Sequence, residues 1–395
     1  MGNKKSFVIG LATGMILLAL LLVGYDMYDR HVNWDGAMRP NDKVNEIYQI
    51  VSRHSIIPVE RADMIENMYR GLLAGVGDPY TQYLSLEALE AFYTRTRGEF
   101  VGIGVRVLMD PADNLLTLFR VFPDAPAAQA GLIEGDKILQ VDGVDVAGFE
   151  QADIVALILG DAGTVVNIKI YRPDENRRFD VDITRARVIV PSVEYELIET
   201  ENGRTGYIRI ESFEQPTYSQ FVAALTTLEA LGMDSLIIDV RNNPGGLLGS
   251  VVNIANRLVP EGIIVYTQNV NEVQNVRRAT ADYLGLPLVM LVNGHSASAS
   301  EVLGGAVQDT GVGSLVGEQT FGKGIVQHLY TLSDGTAIKL TVEKYFTPNG
   351  TSIHGIGLTP DFVVEMDSSL TRRIGDLPME EDVQLQIALR MVQGK

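Results

Sequence analysis

The 395-residue sequence contains no cysteine, which excludes disulfide bonds, thiolate catalysis and zinc sites built on cysteine. It also lacks an excess of basic residues: 32 Lys and Arg stand against 50 Asp and Glu, for a formal net charge of −18. Such a chain offers no broad basic face, so nucleic acid is not an expected partner. The five histidines show no HExxH pattern and no paired ligand spacing. We therefore expect neither a metal site nor a cofactor.

A long apolar run stands near the N-terminus. Lys4 and Lys5 precede the 18 uncharged residues from Phe7 to Gly24. This length is at the short end for a membrane span and long for the core of a signal peptide. No A-x-A cleavage site follows. We predict an uncleaved anchor over residues 1–28, which places the rest of the chain in the periplasm or its equivalent; a cleaved signal peptide is the alternative.

A serine-rich turn gives the first indication of chemistry. Leu286 to Val292 is a continuous apolar run of strand length, and a helical pattern opens at Glu301. The SASASE segment at 296–301 is therefore a short turn that presents Ser298 at the carboxyl end of a strand, with helical N–H groups facing a developing oxyanion. Ser298 and Glu301 also have capping-box spacing, so an ordinary helix cap is the competing interpretation.

A lysine between two glycines, Lys323, follows 25 residues after that serine. Gly322 and Gly324 permit a sharp bend beside the amine. The two residues after Gly324 are apolar, which indicates burial, and burial lowers the pKa of a lysine from its solvated value of about 10.4. A neutral amine could then act as a base. Gln327 would lie roughly 13 Å away along a straight strand, so the bend would have to bring it to the amine.

A second glycine-rich turn is a candidate for the oxyanion hole. Ser235 to Val240 has the pattern of a buried parallel strand, and it runs into RNNPGG at 241–246. The proline restricts the turn, and the glycines leave backbone N–H groups unshielded. Gly245 is the preferred second donor beside the N–H of Ala299, although the sequence does not separate Gly245 from Gly246. A Pro-Gly-Gly turn without a catalytic role is the alternative.

Together these segments resemble the C-terminal processing peptidases, the tail-specific serine proteases of peptidase family S41. The resemblance covers roughly residues 40–365 and rests on LIIDVRNNPGG (236–246), VNGHSASASE (292–301), VGEQTFGKGIVQ (316–327), GIGLTPD (355–361) and the lead-in DPYTQYL (78–84). It implies a serine endopeptidase without cofactor. Ser298 would be the nucleophile, Lys323 the general base and Gln327 its orienting partner. Gly245 and Ala299 would form the oxyanion hole.

A further stretch resembles a PDZ domain. The resemblance rests on VGIGVRV (101–107), APAAQAGLIEGDKILQVDGVDV (125–146) and the helical pattern from Gln151 to Leu159. The expected carboxylate loop consists of Gly102, Ile103, Gly104 and Val105, where the glycines free backbone N–H groups and Val105 starts a strand edge that a peptide can extend. The PDZ domain would capture the C-terminal tail of a substrate ahead of cleavage. Leu159 stands where many relatives have an arginine, so coupling to the active site would differ or depend on a partner.

These observations predict an α/β (α+β) multi-domain chain. Its parts are an anchor (1–28), an N-terminal helical region (29–95), a PDZ domain (96–185), a ClpP/crotonase-like S41 peptidase core (186–366) and a helical tail (367–395). Asp142-Gly143 and Asp334-Gly335 are predicted hairpin turns.

Two other interpretations stay open from the sequence. His295, three residues before Ser298, could form a Ser-His-Asp site with Asp239 or Asp309. The chain could also be a membrane-tethered PDZ adaptor, or pseudo-protease, that binds protein C-termini without cutting them. The expected partners are protein substrates and, through the anchor, the inner membrane of a bacterial cell envelope. An adaptor or activator protein and a homo-oligomer are further candidates.

Overall fold

The computed structural model describes residues 40–280 and 282–394. The first of two compact units ends at Gly77, and its described part consists of helices α1 (Pro40–His54) and α2 (Arg61–Ala74). Both helices lie within the predicted N-terminal helical region, residues 29–95. The predicted anchor, residues 1–28, lies outside the described residues. Among the residues that are described, no helix is long and apolar enough to cross a membrane.

The second unit, Asp78–Lys395, opens with a segment joined to a much later part of the chain. Strand β1 (Gln82–Leu84) pairs antiparallel with the strand Ala337–Phe346. Helix α3 (Leu86–Arg97) follows, capped by the Ser85 hydroxyl at its start and by a left-handed glycine at its end. The DPYTQYL segment is therefore attached to the C-terminal half of the chain.

Two short strands lead into and out of the predicted PDZ unit. β2 (Glu99–Gly102) and β9 (Ala186–Ile189) pair antiparallel. Beyond them the Val190 N–H donates to the Gly98 carbonyl oxygen at 2.8 Å. The entry and the exit of this unit therefore lie side by side.

Between these strands lies an antiparallel sheet. Its strands are β3 (Val105–Met109), β4 (Leu116–Val121), β5 (Lys137–Val141), β6 (Val144–Asp145), β7 (Val165–Arg172) and β8 (Arg177–Thr184). The order β3-β4-β5-β7-β8, with β6 on β5, leaves β3 at an edge in the described part of the chain. Helices α4 (Pro126–Gln129) and α5 (Gln151–Ile158) complete an apolar core. The predicted turn at Asp142-Gly143 joins β5 to β6 and is confirmed, with both residues at positive φ.

The largest sheet is mostly parallel. In spatial order its strands are β10 (Val193–Thr200), β11 (Gly203–Ile210), β12 (Ser235–Asp239), β15 (Leu288–Val292), β16 (Gly313–Gly317) and β19 (Phe362–Val363), with β10 antiparallel at the edge. Every residue of β12 and β15 is buried, as their continuous apolar runs predict.

Helices cover both faces of this sheet. Ile238 of β12 packs in the same cluster as helices α6 (Thr217–Ala230), α7 (Leu248–Leu258) and α8 (Ala299–Thr310). Its neighbour Ile237 points the other way, as strand geometry requires. It packs in a cluster with the C-terminal helix α10 (Val383–Val392), which follows the short helix α9 (Ser368–Thr371). The predicted tail helix is therefore part of the core.

A second antiparallel sheet lies in the same unit. It contains β1, β13 (Gly262–Asn269), β14 (Gln274–Ala279), β17 (Ile325–Thr331) and β18 (Ala337–Phe346). The predicted hairpin at Asp334-Gly335 joins β17 to β18 and is confirmed.

Candidate active site

Ser298 lies where β15 turns into α8, with φ of 55° and ψ of −111°. An ordinary N-cap residue is extended, so this backbone is strained and must be held by its surroundings. The Ser298 N–H donates to the Glu301 carboxylate at 2.8 Å, and its carbonyl accepts from the N–H of Val302 at 3.0 Å. The side chain also contacts the hydroxyl of Tyr345, whose pKa burial raises to about 12.

Glu301 joins the serine turn to the lysine loop. Its side chain is completely buried. One carboxylate oxygen accepts from the Thr320 hydroxyl (2.6 Å) and the Gly322 N–H (2.7 Å). The other accepts from the N–H groups of Ser298 and Lys323, both at 2.8 Å. The spacing of Ser298 and Glu301 indicated only a cap; the bonds to residues 320–323 had no signal in the sequence.

Lys323 is half-buried beside this carboxylate. Burial is the main cause that lowers the pKa of its amine, and the positive charge of Lys339 lowers it further. The carboxylates of Asp78 and Glu301 oppose this shift. The amine nitrogen lies 5.0 Å from the centroid of the Tyr80 ring. The direction of the shift is the one that a lysine base requires.

Gln327 lies within β17, directly after a bulge between Val326 and Gln327. Its side-chain amide donates to the Tyr80 carbonyl oxygen at 2.5 Å. In the described part of the chain no hydrogen bond joins Gln327 to Lys323, so its orienting role stays a prediction. Both side chains instead contact Tyr80, which sequence reasoning did not assign to the site. The separation of 247 positions between Tyr80 and Gln327 explains why no local pattern could have found it.

The glycine turn lies directly against the serine turn. A β-carbon on Gly245, which has φ of 101°, would lie 2.8 Å from Ser298 Cβ and 2.9 Å from the Ala299 nitrogen. The Gly245 N–H donates to the Asn243 side chain at 2.8 Å. The N–H groups of Ala299 and Gly246 have no acceptor among the described hydrogen bonds. The absence of a side chain at Gly245 therefore keeps the space before Ala299 open.

Buried ion pairs hold the glycine-rich turn at residues 241–246 in place. Arg241 is 1% exposed and forms ion pairs with Asp239 (2.6 Å) and with Asp382 (2.7 Å), which caps α10. The Asn242 side chain donates to the Thr371 carbonyl at 2.7 Å. The C-terminal segment, which the motifs did not connect with chemistry, therefore supports the turn.

The same contacts bear on the alternative Ser-His-Asp site. Asp239 accepts from the Arg241 guanidinium, and Asp309 accepts from the Asn349 N–H at 2.8 Å. Among the described side chains, neither aspartate is bonded to His295. The geometry does not favour this alternative.

A cavity of about 530 Å³ opens beside Lys323. Tyr80, Pro244, Phe321 and Arg372 contribute to its walls. Among the described residues that line it there is no carboxylate, although the chain carries a net charge of −18. This space is large enough for substrate side chains next to the serine turn.

The predicted carboxylate loop of the PDZ unit lies between β2 and β3. The carbonyls of Ile103 and Gly104 accept from the N–H groups of Ala127 (2.8 Å) and Phe122 (3.0 Å). Their own N–H groups have no acceptor among the described bonds. Gly104 has φ of 82°, and a β-carbon there would lie 2.2 Å from Ala125 Cβ. Gly102 and Val105 flank this loop as the last residue of β2 and the first of β3.

An arginine does lie at the end of the PDZ helix α5, although Leu159 occupies the position expected for it. Arg185, 8% exposed, donates to the carbonyls of Ile158 (2.7 Å) and Leu157 (3.1 Å). The next residue, Ala186, pairs with Gly102 of the carboxylate loop. This side chain comes from the exit strand, so the spacing within the helix could not have revealed it.

Ion pairs connect the edge of the predicted PDZ sheet with the predicted peptidase core. Arg106 of β3 lies 2.6 Å from Glu211, and Arg120 of β4 pairs with Glu194. Two residues after Glu211, the Phe213 N–H donates to the Gly245 carbonyl at 3.0 Å. A short chain of contacts therefore runs from the strand edge to the glycine turn.

Comparisons with known proteins agree with these observations. Residues 204–364 match the family model for peptidase family S41, and residues 120–172 match one for a PDZ domain. The carboxyl-terminal-processing protease of Synechocystis sp. is 38% identical over 325 residues, which are 82% of this chain and 75% of that protein. The carboxy-terminal-processing protease of Bartonella bacilliformis is 34% identical over 91% of this chain and 82% of that protein. The solved photosystem II D1 C-terminal processing protease aligns with a TM-score of 0.50 and 32% identity, covering 83% of this chain and 87% of its own.

Proposed function

The chain belongs to peptidase family S41 as a C-terminal processing serine protease with a PDZ domain, and we propose that Ser298 is its nucleophile and Lys323 its general base. The observation that carries this assignment is the Glu301 carboxylate, which accepts from the N–H groups of both residues at 2.8 Å. The lowered pKa of Lys323 also supports it. The inactive adaptor is not favoured, because the relatives are named as proteases.

In the proposed reaction, the uncharged Lys323 amine takes the hydroxyl proton while Ser298 Oγ bonds to the carbonyl carbon of the substrate. The carbonyl electron pair moves onto its oxygen. When the tetrahedral intermediate collapses, the C–N bond breaks and the leaving amine takes the proton from the Lys323 ammonium. Water then repeats the sequence on the acyl-enzyme, and it releases the new carboxyl terminus and restores Ser298.

The oxyanion is assigned to the Ala299 N–H and one N–H of the turn at 245–246. Gly246 has an N–H without an acceptor among the described bonds, whereas the Gly245 N–H donates to Asn243. We therefore assign the second oxyanion donor to the N–H of Gly246. Gly245 contributes by having no side chain, which keeps the space before Ala299 open. Gln327 keeps its proposed role as the partner of the base, which it would fulfil through Tyr80 in the arrangement described.

Substrate tails are proposed to bind at the edge of the PDZ sheet. The terminal carboxylate would accept from the N–H groups of Ile103, Gly104 and Val105, and the preceding residues would extend β3. The paired strands β2 and β9 support domain boundaries near 96–185 for the PDZ unit and 186–366 for the peptidase core. Residues 29–95 and 367–395 would then be the N-terminal helical region and the tail.

The location of the protein rests on the sequence pattern alone. We propose that residues 1–28 anchor the chain in the inner membrane of a bacterial cell, with the protease in the periplasm. Binding of an adaptor protein and self-association are likewise predictions from the sequence.

Turnover of an unstructured protein with an apolar C-terminus tests the proposed roles, with the full-length chain and with the terminal carboxylate free or amidated. We expect Ser298→Ala and Lys323→Ala to lower kcat by roughly 10³-fold or more, and amidation to raise KM. The exposed Ser219→Ala and Lys344→Ala are matched controls that keep wild-type rates. Serine-independent or lysine-independent cleavage would refute the assignment.

A further inference from the structure

Tyr80 contacts both Lys323, the proposed general base, and Gln327, the proposed partner of that base. The Lys323 amine nitrogen lies over its ring, 5.0 Å from the ring centroid. Its backbone carbonyl accepts from the Gln327 side chain at 2.5 Å. The ring also forms part of the wall of the cavity beside Lys323. One residue from the lead-in segment therefore touches the base and its proposed partner at the same time.

The backbone of Tyr80 is fixed by its neighbours. Its N–H donates to one oxygen of Asp78 at 3.0 Å, and the Thr81 hydroxyl donates to the other at 2.6 Å. The chain then continues into β1, where Gln82 pairs with Lys339 of β18. The ring is therefore held on the amine by a turn and a strand pairing, and an incoming substrate does not have to place it there.

The chemistry at Lys323 gives this contact a consequence. When the amine takes the proton of Ser298, a positive charge appears in a half-buried site whose neighbouring carboxylate, Glu301, already accepts four hydrogen bonds. An aromatic face attracts an ammonium group but not a neutral amine, and the attraction is stronger where water is excluded. The ring of Tyr80 thus favours the charged form that arises during the reaction.

We propose that Tyr80 is a positioning residue of the peptidase: its ring stabilises the Lys323 ammonium formed in acylation, and its carbonyl holds Gln327 beside the base. This inference rests on the proposed role of Lys323 as general base. It adds a function for the DPYTQYL segment, which makes that segment a wall of the active site as well as a lead-in to the PDZ domain.

Other charges face the same amine and set the background for any pH effect. Lys339 on β18 disfavours the ammonium, whereas Asp78 and Glu301 favour it. Arg372 and His295 line the adjoining cavity. All of these are retained when only Tyr80 is changed, so a shift in such a variant reports the ring.

The test changes the ring and measures the base directly. Tyr80→Leu removes the aromatic face, Tyr80→Phe keeps it, and Phe321→Leu removes a different ring from the same cavity. The pKa of Lys323 is measured in the full-length chain, in the Ser298→Ala background, from the pH dependence of its acylation by acetic anhydride, read by mass spectrometry. The pH profile of kcat is measured with the tail substrate in the same Tyr80 and Phe321 variants, which here retain Ser298.

Tyr80→Leu is expected to lower the pKa of Lys323, because the ammonium loses its aromatic partner. The acid limb of the kcat profile then moves to lower pH, while kcat on the plateau falls roughly tenfold. Tyr80→Phe restores both quantities, and Phe321→Leu leaves the acid limb in place. Thermal unfolding and the acylation of surface lysines check that each variant is folded. A second truncation, Tyr80→Met, repeats the test with a different side chain.

An unchanged pKa of Lys323 in both Tyr80→Leu and Tyr80→Met would overturn the proposal, and so would equal losses in Tyr80→Phe. The labelling does not depend on catalysis, so it separates this proposal from the proposed function. Absence of Ser298-dependent turnover combined with a shifted pKa would leave the contact standing and refute the catalytic assignment.

Discussion

The proposed peptidase site and the proposed tail-binding edge of the PDZ unit depend on different groups of the polypeptide, namely side chains in the first and the backbone in the second. Around Ser298 and Lys323, buried side chains hold the backbone, above all Glu301 with its four hydrogen bonds. At Ile103 and Gly104, the predicted ligands are N–H groups of a loop whose carbonyls are already bonded. The first site depends on side-chain chemistry at fixed places, whereas the second depends on backbone conformation. Substitutions should therefore affect the two sites in different ways.

Among substitutions that leave Ser298 and Lys323 in place, the largest effect is expected from Glu301→Gln. The substitution keeps the shape of the side chain but turns one acceptor oxygen into an NH₂ group that faces N–H or O–H donors. Two buried donors would lose their acceptor, at about 1–3 kcal/mol each. We expect kcat to fall roughly 10²- to 10³-fold, with a lower free energy of unfolding in urea. The exposed Glu229→Gln is the matched control; a kcat within twofold of wild type would show that the carboxylate does not organise the site.

A smaller and different effect is expected at the PDZ edge, from Gly104→Ala. The new methyl group would meet Ala125 Cβ at 2.2 Å, so the loop must shift. Gly131→Ala is the matched control, because Gly131 has a similar φ of 79° but no atom of the described residues lies within 4 Å of the new methyl group. We expect KM for the tail substrate to rise roughly tenfold in Gly104→Ala alone, with kcat little changed. Anisotropy of a labelled tail peptide measures the binding; equal affinities in the two variants would argue against this loop as the tail site.

The smallest effect is expected from Lys339→Gln, which alters the electrostatics around the base without touching the substrate. The charge of Lys339 lowers the pKa of Lys323, so its removal raises that pKa. More of the base is then protonated at a given pH, and the acid limb of the kcat profile moves to higher pH. Activity at a pH on the acid limb, relative to the plateau, should fall about twofold. Lys344→Gln, on the same strand, is the control, and an unmoved limb in Lys339→Gln would exclude the effect.

The sequence predicted local elements better than long-range contacts, for a physical reason. The buried strands β12 and β15, the hairpin turns at Asp142-Gly143 and Asp334-Gly335, and the tail helix follow from local patterns, because period and turn chemistry depend on neighbouring residues. The contacts of Gln327 do not follow from them. Its side-chain amide donates to the Tyr80 carbonyl oxygen, and the approach of Gln327 to Lys323 that was inferred from the bend at Gly324 stays a prediction.

The arginine expected at Leu159 illustrates the same limit. The helix end is occupied by Arg185, which comes from the strand that leaves the PDZ unit. Spacing within the helix carries no information about a side chain delivered from another strand. The contacts at the end of helix α5 therefore depend on the tertiary structure.

By itself, the sequence determined the family, the order of its regions and the candidates Ser298 and Lys323, because those follow from motifs and from the strand and turn patterns that surround them. Only the tertiary structure decided which residues reach them. Glu301 accepts from the N–H of Lys323, Tyr80 contacts Lys323 and Gln327, and Asp382 pairs with Arg241. These contacts join separate segments of the chain and depend on how the sheets pack and pair, which no local pattern encodes.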